Sequence, residues 1–274
     1  MKYAICNETF VDWEWERMLE CVAQLGYDGL EVAPFTLADR ASDISDQRRR
    51  ELRHAAERAG VKIIGLHWLL VRPEGLYVTT PDDEIRNRTG DYFVDLVRLC
   101  ADLGGNLMVI GSPKQRNLLP GITKERALGY ATEVFSRALP EAARCGVTMA
   151  IEPLTPRETD FINTAADGIE LIEKINHPNF RLHLDVKAMT GSESVPLPEV
   201  IKASAKYLHH FHANDPNLLG PGMGEVDHRP IMKALKDIDY KGYVSVEVFD
   251  YRPGAEHIAR ASIQYLNHVE AVAV

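Results

Sequence analysis

Short apolar segments rich in β-branched residues alternate with longer amphipathic ones from one end of the chain to the other. The short ones read as strands over Tyr3–Cys6, Gly29–Ala33, Val61–His67, Leu107–Ile110, Val147–Glu152, Arg181–Asp185, Leu208–His212 and Tyr243–Val248. Helical periodicity fills the intervals, for example over Asp12–Leu25, Asp46–Ala59, Asp83–Leu103, Lys124–Cys145, Ala165–Ile175 and Ala255–Val269. Gly26, Gly60 and Gly146 stand where a helix pattern gives way to the next strand, and glycine accepts the left-handed conformation that ends a helix. Eight such units in 274 residues average about 34 each, the size of a βα repeat, and no Ser/Gly-rich linker divides the chain. The expected architecture is α/β, a single (β/α)8 barrel domain over residues 1–274. An open doubly wound sheet would carry a Gly-rich fingerprint after an early strand, and no G-x-G-x-x-G occurs.

Composition agrees with a soluble globular chain, 45% hydrophobic and 26% charged. Lys and Arg total 31 against 40 Asp and Glu, and the net charge of −9 is spread along the sequence. That sign disfavours a general binder of nucleic acid or of an anionic membrane. Cys6, Cys21, Cys100 and Cys145 form no C-x-x-C pair and read as reduced, packed side chains. The longest apolar stretch, Val61 to Val71, is broken by Lys62 and His67 and is too short for a bilayer, and the opening MKYAICNETF lacks the build of a signal peptide. A cytoplasmic protein is expected, with neither nucleic acid nor membrane as partner. Trp13, Trp15, Leu19 and Val22 read as barrel packing or a contact between subunits, so a homo-oligomer is compatible with the pattern.

In a barrel of this kind the chemistry belongs at the C-terminal ends of the strands. The last four expected strands each end in a metal-capable side chain: Glu152 in MAIEP, Asp185 in LHLDV, His212 in HHFHAND and Glu247 in SVEVF. They follow one another at roughly one βα repeat, so a closed barrel would present all four around one point. Three carboxylates and an imidazole suit one divalent cation, Mn²⁺ first, with Mg²⁺, Co²⁺ or Zn²⁺ as alternatives. Burying three carboxylates together is costly unless a cation compensates them. Such an ion would polarise a substrate carbonyl and stabilise the enediolate left when the neighbouring C–H is removed. Glu152 and Glu247 supply the paired carboxylates for removing and returning that proton.

The stretch IEPLTPRETDFINTAADGIELIEKINHPNFRLHLDVKAM, followed by HFHANDPNLLGPGMGEVDHRPI and YVSVEVF, resembles the xylose-isomerase-like TIM barrels, and GYDGLEVAP near the second strand resembles the same family. The similarity is strongest to the sugar phosphate isomerase/epimerase group, in the branch of D-tagatose 3-epimerase and hydroxypyruvate-isomerase-like proteins. The resemblance implies that Glu152, Asp185, His212 and Glu247 are metal ligands, that Glu152 and Glu247 are the acid/base pair, and that Glu158 contacts substrate. Two substrate-orienting positions differ: Ala188 stands where the epimerases carry His, and Leu218 where they carry Arg.

Further candidates come from position alone. His210 shares a strand face with His212, and His183 with Asp185, either as second ligand-orienting groups or as satisfied core histidines. Lys187 lies two residues after Asp185, within reach of the space left by Ala188. Lys114 and Arg116, in GSPKQRN after the fourth strand, would suit a phosphate or carboxylate on the substrate. Glu31 and His67 are candidate sugar-hydroxyl contacts, Trp68 a candidate apolar wall, and Asn214 and Asp215 candidates for ordering the end of the seventh strand. The function expected is a divalent-metal-dependent isomerase or epimerase of a small sugar, sugar phosphate or related polyhydroxy carbonyl compound. A lyase or dehydratase on the same scaffold and a non-catalytic sugar-binding barrel rank below it. An apurinic endonuclease of the same superfamily is disfavoured by the charge and by the lack of further His/Asp/Glu clusters in the sequence.

Overall fold

The computed structural model describes residues 1–272, and among them eight strands close into one parallel barrel in chain order. The strands are β1 (Lys2–Cys6), β2 (Gly29–Val32), β3 (Lys62–Leu66), β4 (Leu107–Ile110), β5 (Thr148–Ile151), β6 (Phe180–Asp185), β7 (Leu208–Ala213) and β8 (Tyr243–Val246). The helices are α1 (Trp15–Leu25), α2 (Asp46–Ala59), α3 (Asp83–Asp102), α4 (Lys124–Cys145), α5 (Ala165–Ile175), α6 (Val186–Ser192), α7 (Leu197–Ala203), α8 (His228–Asp237) and α9 (Ala255–Val272). All eight expected strands form, with ends that shift by one or two residues. The helix expected from Asp12 starts later, at Trp15, because Asp12 takes a positive φ of 62° and Glu14 an extended backbone.

Local chemistry sets the boundaries. Ser45, Asp82 and Thr164 accept backbone N–H bonds at the starts of α2, α3 and α5, and Thr164 with Asp167 forms a reciprocal capping box. Gly26, Gly60 and Gly146 end α1, α2 and α4 in the left-handed region, as the sequence pattern predicts.

The barrel sorts its residues by strand alternation. One set, including Ile5, Leu30, Ile63, Met108, Leu182, Phe211 and Val244, joins the large apolar core between strands and helices. The other set points into the barrel, where Leu107, Val109 and Ala150 form a buried apolar cluster. Ile64 lies beside inward-facing Gly29, and much of the lumen is small or polar, with Gly65, Glu31, His183, His210, His212 and Ser245. Register brings the polar members together, with Asp185 opposite His212, His183 opposite His210, and Cys6 opposite Glu31.

Gly65 marks the tightest seam. A Cβ there would lie 2.3 Å from the Leu107 carbonyl oxygen and 2.8 Å from the Leu107 Cβ. Neither can yield without moving β4, so Gly65→Ala should lower stability by about 1–3 kcal/mol or more. A urea titration checks this, and an unchanged midpoint would contradict the close approach of β3 and β4.

Candidate active site at the C-terminal mouth of the barrel

The ends of β3, β4, β5, β6 and β8 surround a pocket of about 410 Å³, its open mouth included, whose lining includes His67, Trp68, Glu152, Glu158, Lys187 and Glu247. Glu152 leaves β5 immediately before Pro153, and Glu247 leaves β8 directly after Val246. Both are buried, at 5% and 4% exposure, yet both face the pocket.

Asp185, the last residue of β6, is anchored from two sides. Its Oδ1 accepts the Ala188 N–H at 2.7 Å, and its Oδ2 accepts Asn214 Nδ2 at 2.5 Å. Asn214 in turn accepts the Lys187 N–H at 2.8 Å, so the end of β7 locks the turn that follows β6. His212 is fully buried, with Nδ1 3.1 Å from Glu247 and Nε2 3.1 Å from Glu31. Trp68 donates its indole N–H to Glu247 at 3.0 Å from a backbone with φ of 52°, a left-handed conformation that a bulky residue seldom adopts.

Electrostatics separates the carboxylates. Burial, with Glu247 and Asp185 nearby, pushes Glu152 well above the usual carboxylate range. Burial also raises Asp185, to about 6, against the pull of Lys187. Burial would raise Glu247 too, but the charge and hydrogen bond of His212, helped by His67 and Lys187, hold it below its ordinary value. Two carboxylates on one pocket thus differ in proton affinity, the arrangement that an acid/base pair needs.

One ligand-capable atom from each of Glu152, His183, Asp185 and His212 lies within 4.8 Å of the others. Three of the four expected ligands therefore share a cluster, with His183 as its fourth member. Glu247 meets the cluster through His212 and belongs to a second group with Cys6, Glu8 and His67. His183 is fully buried, and neither of its ring nitrogens has a hydrogen-bond partner. Orphaned buried nitrogens beside carboxylates fit a divalent ion, as does the mixture of oxygen and imidazole donors. The additional His/Cys/Glu groups correct the sequence-based expectation that further clusters are lacking; alternation along the strands brings them together from distant positions.

The remaining candidates divide. Lys187 enters the pocket, gives Glu158 an ion pair at 2.6 Å and stands 4.1 Å over the Phe249 ring. His67 lines the pocket as expected. His210 does not; it lies beneath, bonded to Glu31 at 2.8 Å, and Glu31 itself is wholly buried rather than presented to a ligand. Arg116 is buried and donates to the main-chain oxygens of Ile110 and Glu152, so its guanidinium holds strand ends together instead of facing substrate. Lys114 is exposed and outside the lining, and Leu218 sits on the surface at 42% exposure. Glu8, in the turn after β1, was not singled out by the sequence pattern, since no periodic or motif signal marks it.

A family model described as "Xylose isomerase-like TIM barrel" matches residues 19–269. D-psicose 3-epimerase of Ruminiclostridium cellulolyticum is 28% identical over 255 residues, covering 91% of this chain and 84% of that protein. The 3-dehydro-D-guloside 4-epimerase of Escherichia coli is 25% identical over 272 residues, covering 95% of this chain and 96% of that protein. Among solved structures, D-psicose 3-epimerase with D-tagatose from Clostridium cellulolyticum superposes with a TM-score of 0.86 at 25% identity, covering 98% and 99% of the two chains.

Gly111 offers a local test of the geometry. A Cβ there would fall 1.9 Å from Glu152 Oε2, and the flexible carboxylate end would have to swing away. Gly111→Ala should leave the unfolding midpoint near that of the parent while weakening divalent-cation binding about 10- to 100-fold. Calorimetric titration reads this, and an unaltered affinity would show that Glu152 is not placed to serve the ion.

Proposed function

The chain belongs to the xylose isomerase-like TIM barrel family, in its sugar-epimerase branch, and is an enzyme; from that premise we propose that it is a divalent-metal-dependent epimerase or isomerase of a small polyhydroxy carbonyl compound. The observation that carries this reading is the pair Glu152 and Glu247, buried carboxylates from two strands that border one pocket beside the Asp185 and His212 donors.

Glu152, Asp185, His212 and Glu247 would hold the ion, with Mn²⁺ the best match to three carboxylates and one imidazole. When bound, it would supply Lewis-acid polarisation of the substrate carbonyl. One carboxylate of the pair takes the proton from the carbon beside that carbonyl. The other returns a proton to the opposite face, which inverts the centre; return to the neighbouring carbon gives the isomer. Trp68 fixes the Glu247 carboxylate, and Glu158 with Lys187 offers hydroxyl partners along the substrate. Ala188 and Leu218 stand where the epimerase pattern has His and Arg, and we assign substrate orientation here to the Lys187–Glu158 pair at the pocket. The four free cysteines fit a reducing compartment such as the cytoplasm.

Protein reconstituted with Mn²⁺ and incubated in D₂O with a panel of ketoses and aldoses should incorporate deuterium at a carbon beside the carbonyl, read by NMR. Glu152→Gln and Glu247→Gln should each lower that exchange about 10²- to 10⁴-fold with the fold retained. Full exchange in both variants would sink the proposed proton-transfer pair.

A further inference from the structure

On the β1 and β3 side of the lumen, Cys6, Glu8, His67 and Glu247 each bring one ligand-capable atom within 4.8 Å of the others. All four are more than nine-tenths buried. Glu8 and His67 bond to one another at 2.7 Å, which uses one atom of each. Glu8 Oε1 remains buried without a hydrogen-bond partner, while His67 Nδ1 makes no hydrogen bond and faces Glu31 Oε1 at 3.8 Å. Such orphaned atoms are expensive in a low-dielectric interior unless something else meets them.

Access exists from both sides, since His67 lines the pocket and Glu8 lines the groove beside Trp13 and Tyr251.

We infer that Cys6, Glu8, His67 and Glu247 form a second divalent-cation site, with Glu247 the carboxylate shared with the first. Its imidazole, carboxylate and thiol donors favour Zn²⁺ or Co²⁺ over Mg²⁺. The ion replaces the proton shared by His67 and Glu8 and displaces the proton of the Cys6 thiol, and both protons leave to solvent. The inference shares Glu247 with the proposed function but does not depend on the substrate assigned there.

The test is metal stoichiometry on the full chain. Chelator-stripped protein is loaded with Co²⁺, freed of unbound ion by gel filtration and analysed for cobalt per chain, with the thiolate-to-cobalt absorption recorded in the near ultraviolet. The wild type should hold two ions and show the thiolate band. Glu8→Gln and His67→Ala should each hold one ion and lose the band, the retained ion reporting an intact barrel. Asp185→Asn should also hold one but keep the band, and Cys6→Ser should lose it. One ion in the wild type, lost in Asp185→Asn, would overturn the second site and leave the first standing. Two ions in both Glu8→Gln and His67→Ala would overturn it as well, and no ion in the wild type would remove both sites together.

Discussion

The structure depends on how a closed barrel tolerates carboxylates in its interior. Removing an ionised group from water is costly, and the cost is recovered only through a partner held in good geometry. Glu31 has such partners in His210 and His212, Glu8 in His67, and Asp185 in Asn214 and the Ala188 N–H. Glu152 is the exception: its carboxylate lies 3.8 Å from His183, whose ring burial keeps neutral, and burial drives the proton affinity of Glu152 up. The least compensated carboxylate therefore also opens onto the pocket. Charge that the protein cannot neutralise with its own side chains is what makes the mouth of the barrel receptive to a cation.

The fold makes room for this polar interior by thinning its apolar filling. Gly29 and Gly65 face inward on β2 and β3, where a side chain would collide with Ile64 or Leu107. Gly111 leaves the space that the Glu152 carboxylate occupies. Arg116, which looks from sequence like an anion receptor, caps the carbonyl ends of β4 and β5 instead and contributes its charge from below the pocket. Orientation then passes outward through hydrogen bonds: His210 holds Glu31, Glu31 holds His212, and His212 holds Glu247. A helix-covered outer core keeps the strands in register, and the register keeps these bonds short.

Much of this was legible from the residues. Period-two alternation and glycine stops located the strands and most long helices, and the recurrence of Glu152, Asp185, His212 and Glu247 at strand ends marked the mouth of the barrel. Helices α6, α7 and α8 had no bounds set from the sequence: α6 and α7 have seven residues each, too few for a helical period to show, and α8, which follows the His212–Asp227 loop as expected, carries Pro230 in its first turn. Lys187 could be placed because it adjoins Asp185 in sequence. Glu8, and the way His183 joins Glu152, could not, because they depend on which strands lie side by side in the closed sheet. Exposed and buried arginines look alike in a sequence, so the inward turn of Arg116 was equally hidden.

Anomalous diffraction from crystals grown with Mn²⁺ tests most directly whether a cation compensates the carboxylates at the mouth of the barrel. The account predicts a strong manganese peak within coordination distance of Glu152, Asp185, His212 and Glu247, with these side chains drawn toward it. An ordered site with no peak among those residues, in crystals soaked to saturation, would contradict it.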